Sequence, residues 1–290
     1  MKGIILAGGS GSRLFPITKG TNKHLLPIHG KPMIYYPLSI LMVSGIREIL
    51  VVSTPDDIPR FERLLGDGSQ WGMSFQYKVQ HYPEGVAQVF GLGEEFIGSG
   101  SVTLILGDNI FFGKGIYRSF QQSGERGNGA TVFCYPVDEP ERFGVIEFDS
   151  SGKVASIEEK PHFPKSNMAV TGLYRYDNRV IDIAKTIQPS SRNELEITSV
   201  NEVYREWGDL GVEVLGADMT WLDTGTHTSF IQAQLLIEQA EERDKTRFGI
   251  PEVMAYWNGW ISQEQLYNCG ARQIQSEYGM YLMQAAQSLA

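Results

Sequence analysis

The sequence predicts an α/β protein: a three-layer α/β/α sandwich around a mostly parallel central sheet, followed by a helical C-terminal tail. Three observations carry that prediction. In the first third of the chain, short apolar runs alternate with segments of helical period, an order that calls for parallel strands joined by right-handed crossovers. The first run, Lys2 to Ala7, breaks at once into Gly8-Gly9-Ser10-Gly11-Ser12-Arg13. A later run, Val102 to Leu106, has few polar atoms and ends in Gly107-Asp108-Asn109, and ligand groups gather at the carboxyl ends of parallel strands.

Composition bounds the function. With 290 residues the chain can bury a large core. Its 25 basic and 34 acidic residues give a net charge of -9, a field that repels polyanions, so no nucleic-acid or anionic-membrane partner is expected. The two cysteines, Cys134 and Cys269, lie far apart without metal-site spacing. No run approaches about eighteen apolar residues and no signal-peptide core is evident, so a cytoplasmic, reducing setting is expected.

The glycine loop after the first strand suits a phosphate chain. Residues without side chains let backbone N–H groups approach an anionic oxygen, and the Arg13 guanidinium can grip the same oxygens. A dinucleotide fingerprint is excluded because Leu14 stands where its third glycine belongs, and a Walker loop because no Gly-Lys-Ser/Thr follows Gly8. Lys23 is close enough in sequence to reach the same phosphates, although a lone lysine is ordinarily a solvated one. Lys31 to Met42 reads as a helix closed by Gly45, Ile46 to Ser53 as the second strand, and Asp56 to Leu65 as the helix behind it. Phe75 to Tyr77 is a short strand running into Gln80-His81-Tyr82-Pro83-Glu84-Gly85. There Gln80 offers a donor and an acceptor that match the O4 and N3–H of thymine or uracil, and Gly85 would let a base pack against backbone; taken alone, a plain solvated loop is the ordinary reading.

Gln88 to Phe96 reads as a helix. Asp108 is placed to hold a divalent metal through oxygen, or else to make an Asx turn. From Gly129 the pattern turns toward strands at Ala130 to Val137, Gly144 to Phe148, Val154 to Glu158 and Val170 to Tyr176. Glu159-Lys160 then sets a carboxylate beside an ammonium, suited to a sugar phosphate or to an ordinary charged surface. Helices are expected over Tyr176 to Ile187 and Leu195 to Trp207, with Arg192 and Glu196 at the entry of the second, and a strand over Val212 to Leu215. Asp223, in Trp221-Leu222-Asp223-Thr224-Gly225-Thr226, is the second carboxylate that would complete a magnesium site with Asp108, while Thr224 to Thr226 also suits a helix cap. The chain is mainly helical from His227 to Gln239 and again from Tyr278 to Leu289.

Four of these motifs, Leu6 to Arg13, Gly107 to Phe112, Glu158 to Pro161 and Trp221 to Gly225, occur in one order. With Pro140 to Gly144, Val170 to Tyr174 and Glu194 to Thr198 they make the chain resemble the bacterial glucose-1-phosphate thymidylyltransferases, a branch of the sugar-phosphate nucleotidylyltransferases, over most of its length. The resemblance implies a Rossmann-like nucleotidyltransferase fold. It also implies a Mg2+-dependent reaction of dTTP with α-D-glucose 1-phosphate that gives dTDP-glucose and pyrophosphate, the first step toward dTDP-L-rhamnose and other deoxysugars. Carried onto matching positions, Arg13 and Lys23 bind the triphosphate and stabilise leaving pyrophosphate, while Gly9 and Gly11 belong to the same loop. Gln80 and Gly85, with the backbone of Leu6 and Gly8, read the thymine. Asp108 and Asp223 hold the metal, and Gly144, Glu159, Lys160, Val170 and Arg192 receive the sugar phosphate, Lys160 acting with Arg13 and Lys23 in catalysis.

The same resemblance implies a nucleotidylyltransferase core over residues 1–229, divided into a nucleotide part (1–128) and a sugar-phosphate part (129–229). Residues 230–290 resemble the tail of longer, homotetrameric members that bind a regulatory deoxysugar nucleotide such as dTDP-rhamnose. His24 departs from the glutamine many members carry after the loop lysine. The same chemistry with UTP or another hexose 1-phosphate, or a noncatalytic sugar-nucleotide sensor, are the competing expectations.

Overall fold

The computed structural model of the chain describes residues 1–113, 115 and 129–288. The end of the expected nucleotide part (114 and 116–128) and the last residues of the tail, Leu289 included, lie outside the described residues.

The strands run β1 (Lys2–Leu6), β2 (Pro27–Ile28), β3 (Lys31–Pro32), β4 (Glu48–Ser53), β5 (Ser74–Val79), β6 (Val102–Leu106), β7 (Asn109–Gly113), β8 (Ala130–Pro136), β9 (Gly144–Phe148), β10 (Val154–Glu159), β11 (Met168–Tyr176), β12 (Leu210–Val214) and β13 (Met219–Asp223). Nine of them form one sheet in the order β10-β9-β11-β6-β1-β4-β5, with β8 paired to β11 and β12 to β8. On one flank β6, β1, β4 and β5 are all parallel. On the other, β8 to β11 pair antiparallel, and β11 joins the flanks through an antiparallel ladder to β6.

The expected layers are present. Neighbouring residues of β1 point to opposite faces, so Ile5 enters the core packed beneath helix Tyr35–Val43 and Ile4 the core packed beneath helices Gln88–Leu92 and Ile197–Glu206. A continuous apolar strand is what a sheet covered on both faces requires. The tail contributes helices His227–Asp244, Pro251–Trp257, Gln263–Ala271 and Glu277–Ser288. Val253, Leu266 and Leu282 from the last three join the Ile5 core.

Three local expectations are corrected. The helix expected from Lys31 starts at Tyr35, because His29 and Gly30 take left-handed conformations (φ 43 and 76) that turn β3 back onto β2. There the buried Lys31 ammonium meets Glu241 at 2.6 Å. The helix expected over Gln88 to Phe96 is interrupted at Gly93, a weak helix former, and continues as Glu94–Ile97. The helix expected over Tyr176 to Ile187 starts only at Val180, because Tyr176 is still paired in β11, and Met219 to Asp223, given no element from sequence, forms β13, which pairs antiparallel with β7.

Candidate active site

Four strand ends bring the predicted residues together. Beyond β1 the glycine loop turns through Gly9 (φ 93) and Gly11 (φ 59) into a short helical turn, Ser12–Leu14, that presents Arg13. A second short turn, Lys23–Leu25, is capped by Asn22, whose Oδ1 accepts from the His24 N–H at 2.9 Å. The Asn22 amide donates to the carbonyl of Ala7 (3.2 Å) and to Asp57 (2.8 Å), which ties this turn to the end of β1. It aims Lys23 at Asp108, just past β6, and the two form an ion pair that is largely shielded from solvent.

Asp223 arrives from the other direction. In the β7–β13 ladder it stands opposite Asn109, and Thr224 donates from its N–H (3.2 Å) and hydroxyl (2.8 Å) to the carbonyl of Asp108. Both carboxylates therefore sit at one point. Burial and then the neighbouring Asp108 charge push the Asp223 carboxyl up to about 6, against the opposing pull of Lys23, Arg13 and Arg142. Burial is the largest single influence on Asp108 and would raise it as well, but the Lys23 ammonium, together with His24 and the Asn109 amide, outweighs it and holds that group well below the usual carboxylate range. Two carboxylates in this state fit a divalent cation. Among the described residues no cluster of three or more His, Cys, Asp or Glu is arranged for a metal, so such an ion would draw its remaining oxygens from substrate and water. A Cβ on Gly225 would come within 3.1 Å of both an Arg13 guanidinium nitrogen and an Asp223 oxygen, which places Arg13 beside the pair.

The opposite wall comes from the antiparallel flank. Glu159 accepts from the Thr198 hydroxyl (2.5 Å) and from Arg192 (3.2 Å), and Lys160 stands 3.7 Å from it. Lys160 itself is in the left-handed region (φ 44), a costly conformation for a side-chain-bearing residue that persists where surrounding contacts enforce it. Its N–H donates to Phe143 at 2.9 Å. Arg192 also meets Glu196 (2.7 Å) and Glu194 (3.2 Å). Arg13, Asp108, Gly144, Glu159, Lys160, Val170, Arg192 and Asp223 line one cleft, and Gly8, Gly9, Gly11, Arg13 and Lys23 line an adjoining recess. Arg13 borders both.

Gln80, Leu6 and Gly85 line neither hollow. Gln80 is buried, and its Oε1 lies 2.5 Å from where a Cβ on Gly8 would stand, so only glycine at that position leaves the amide facing the loop. The Leu6 side chain flanks the same glycine, and its carbonyl accepts from Gly107 N–H at 2.9 Å. Gly85 (φ 114) lies where a Cβ would strike the backbone of Leu195 at 2.4 Å. It therefore has a packing reason to be glycine besides any contact with a base: this is where the Gln80 loop docks on the Arg192–Glu196 segment.

Sequence reasoning missed Arg142, which lines the cleft 3.8 Å from Asp223 and entered the sequence reading only within the Pro140 to Gly144 motif. It also missed Asn109, whose Oδ1 accepts from Gly172 N–H (2.8 Å) and the Trp221 indole (2.7 Å), bracing β7 against β11 and β13. Thr226, as expected for a cap, accepts from Ser229 N–H at the start of helix His227–Asp244, so Asp223 and the cap share one turn.

The Nucleotidyl transferase family model matches residues 2–240. Among curated relatives, the glucose-1-phosphate thymidylyltransferase of Neisseria meningitidis serogroup A is 52% identical over 283 residues, covering 98% of each chain. That of Mycobacterium tuberculosis H37Rv is 50% identical over 284 residues, again covering 98% of each. A Bacillus anthracis crystal structure assigned to the same enzyme, in complex with sucrose, matches with TM-score 0.76 and 44% identity over 81% of this chain and 94% of its own. A UDP-glucose pyrophosphorylase bound to UDP-glucose shares the fold at TM-score 0.68 and 23% identity, over 82% of this chain and 98% of its own.

Proposed function

This chain belongs to the nucleotidyl transferase family and, within it, to the glucose-1-phosphate thymidylyltransferases, and from that premise we propose how its residues divide the work. The reaction joins dTTP and α-D-glucose 1-phosphate into dTDP-glucose and releases pyrophosphate. The glycine loop, Arg13 and Lys23 hold the triphosphate; Gln80, with the backbone of Leu6, Gly8 and Gly85, reads the thymine. Gly144, Glu159, Lys160, Val170 and Arg192 receive the sugar phosphate. The nucleotide is thus served by residues 1–128 and the sugar phosphate by 129–229.

A sugar phosphate oxygen is already anionic near neutral pH, so it can attack the α-phosphorus without a general base. The new P–O bond forms as the bond to pyrophosphate breaks, and the protein must align two anions that repel each other. Lys160 and Arg192 neutralise the attacking phosphate, while Arg13 and Lys23 neutralise the departing one. A divalent cation, which we take to be Mg2+, would be held by Asp108 and Asp223 and would supply further charge neutralisation at the phosphates.

The observation that carries this reading is that Arg13 borders both the glycine-loop recess and the cleft of Lys160 and Arg192. We further propose a cytoplasmic homotetramer regulated by a deoxysugar nucleotide through residues 230–290. Exposed Ile231, Leu235 and Leu236 on helix His227–Asp244 support an association surface, and no helix among the described residues is long and apolar enough to cross a membrane. Pyrophosphate release measured across four nucleotides, and across glucose, mannose, galactose and glucosamine 1-phosphates, tests the substrates. Release should be fastest with dTTP and glucose 1-phosphate. Equal rates with UTP would overturn the thymidylyl assignment, and sugar-nucleotide binding without any release would make the chain a sensor.

A further inference from the structure

We propose that Glu84 and Gln88 are positioning residues that fix which end of the Gln80 amide faces the nucleotide base, and so favour a base with an N–H at the position read over one with a lone pair there. The inference rests on the reading of Gln80 as the base contact. An amide has a donor end and an acceptor end, and its orientation here is set by two groups of fixed polarity, the Glu84 carboxylate, which only accepts, and the Glu84 backbone N–H, which only donates. Gln88 Nε2 donates to the Glu84 carboxylate at 2.7 Å. Gln88 Oε1 must then face the other way, where it accepts from the Glu84 N–H (3.3 Å) and from Gln80 Nε2 (2.6 Å).

One hydrogen of the Gln80 NH2 is thereby used, and Gln80 Oε1 is left facing the glycine loop beside Gly8. Reversing the Gln80 amide would set two carbonyl oxygens against each other; reversing both amides would set the Gln88 oxygen against the carboxylate. Gln80 is only 3% exposed, so water cannot relieve the first mismatch, and the second would cost Gln88 its hydrogen bond to the Glu84 carboxylate. The relay therefore presents an acceptor to the imide N3–H of thymine or uracil and keeps one N–H for O4. Cytosine, with a lone pair at N3, meets an oxygen instead.

The test compares kcat/KM for dTTP and dCTP at saturating glucose 1-phosphate in the wild type, Gln80→Leu, Gln88→Leu, Gln88→Lys and Glu84→Gln. Gln88→Leu removes the partner and should lower the dTTP:dCTP ratio by about fivefold, the worth of one ordinary hydrogen bond. In Gln88→Lys an ammonium held by Glu84 demands an acceptor and should turn Gln80 Oε1 away from the base, lowering the ratio by about tenfold or more. Glu84→Gln, at an exposed position that disturbs no packing, should lower it by about two- to threefold. The KM for glucose 1-phosphate should not move in any of the four, whereas a merely structural loss would depress both nucleotides alike. A ratio that falls in Gln80→Leu but stays at the wild-type value in the Gln88 and Glu84 variants overturns the relay and leaves the base contact standing. A ratio unmoved even in Gln80→Leu overturns the base contact, and the relay with it.

Discussion

The two flanks of the sheet hold their charged groups in opposite ways. On the parallel flank, Arg13 of the glycine loop is exposed, but the charge behind it is paired one to one and shielded: Lys23 and Asp108 each leave 13% of the side chain exposed. The turn that carries Lys23 is stitched to β1 by Asn22, Asp57 and the carbonyl of Ala7. On the antiparallel flank charge is shared and open. Arg192, 37% exposed, contacts Glu159, Glu194 and Glu196, and Lys160 is 44% exposed beside the same Glu159. Exposed ion pairs are individually weak, so an arriving phosphate can displace the exposed Glu194 from Arg192 at little cost while buried Glu196 keeps the guanidinium in place, whereas the Lys23–Asp108 pair is preorganised before any ligand arrives. The parallel flank is built as a rigid holder and the antiparallel flank as an exchangeable one.

The parallel flank sends Asp108, and the separate β7–β13 ladder sends Asp223, to one junction, and the largest expected effect is there. Asp108→Asn and Asp223→Asn should each lower turnover by about 10^2- to 10^3-fold or more while dTDP-glucose still binds measurably by calorimetry. A wild-type rate in either variant would remove that carboxylate from the metal site. Next, Lys160→Met should raise the KM for glucose 1-phosphate by about 10- to 100-fold, the worth of a charge-assisted contact, and leave the KM for dTTP within about twofold. A larger effect on dTTP would mean that the flanks do not divide the substrates.

The smallest effect concerns the interior of the rigid flank. Burial, with Lys23 beside it, pushes the His24 imidazole from 6.5 down to about 3, although Asp108 and the Ala7 carbonyl pull the other way. A depressed value means that the unfolded chain takes up this proton first. The stability from keeping His24 neutral is therefore complete above pH 6.5 and is lost as the pH falls toward about 3. Thermal unfolding between pH 7 and 4.5 should show the wild type losing roughly 5 °C more than His24→Gln. Parallel curves for the two proteins would show that His24 is not held neutral in the fold.

Much of the site was legible because it is local. An apolar strand, a glycine loop and a nearby cation lie within thirteen residues, and Asp108 directly follows a strand whose composition marks it as central. Gln80 was legible as a residue but not as an oriented one, since its polarity depends on Gln88 and Glu84 across a loop. Lys31 was taken into a helix because its partner, Glu241, is 210 positions away. Arg142 lay inside a motif already recognised, yet nothing near it in the chain announces Asp223.

The sequence by itself determined the order of the strands of the central sheet and the helices between them, the anion-binding character of the first loop and the kinship of the chain, because these reside in short-range period, backbone freedom and motif. Only the tertiary structure decided that β7 and β13 form a ladder and so carry Asp108 and Asp223 to one point, against Arg13. Such a pairing is made of hydrogen bonds between segments more than a hundred residues apart, and the energy that selects it leaves no repeat in either segment alone.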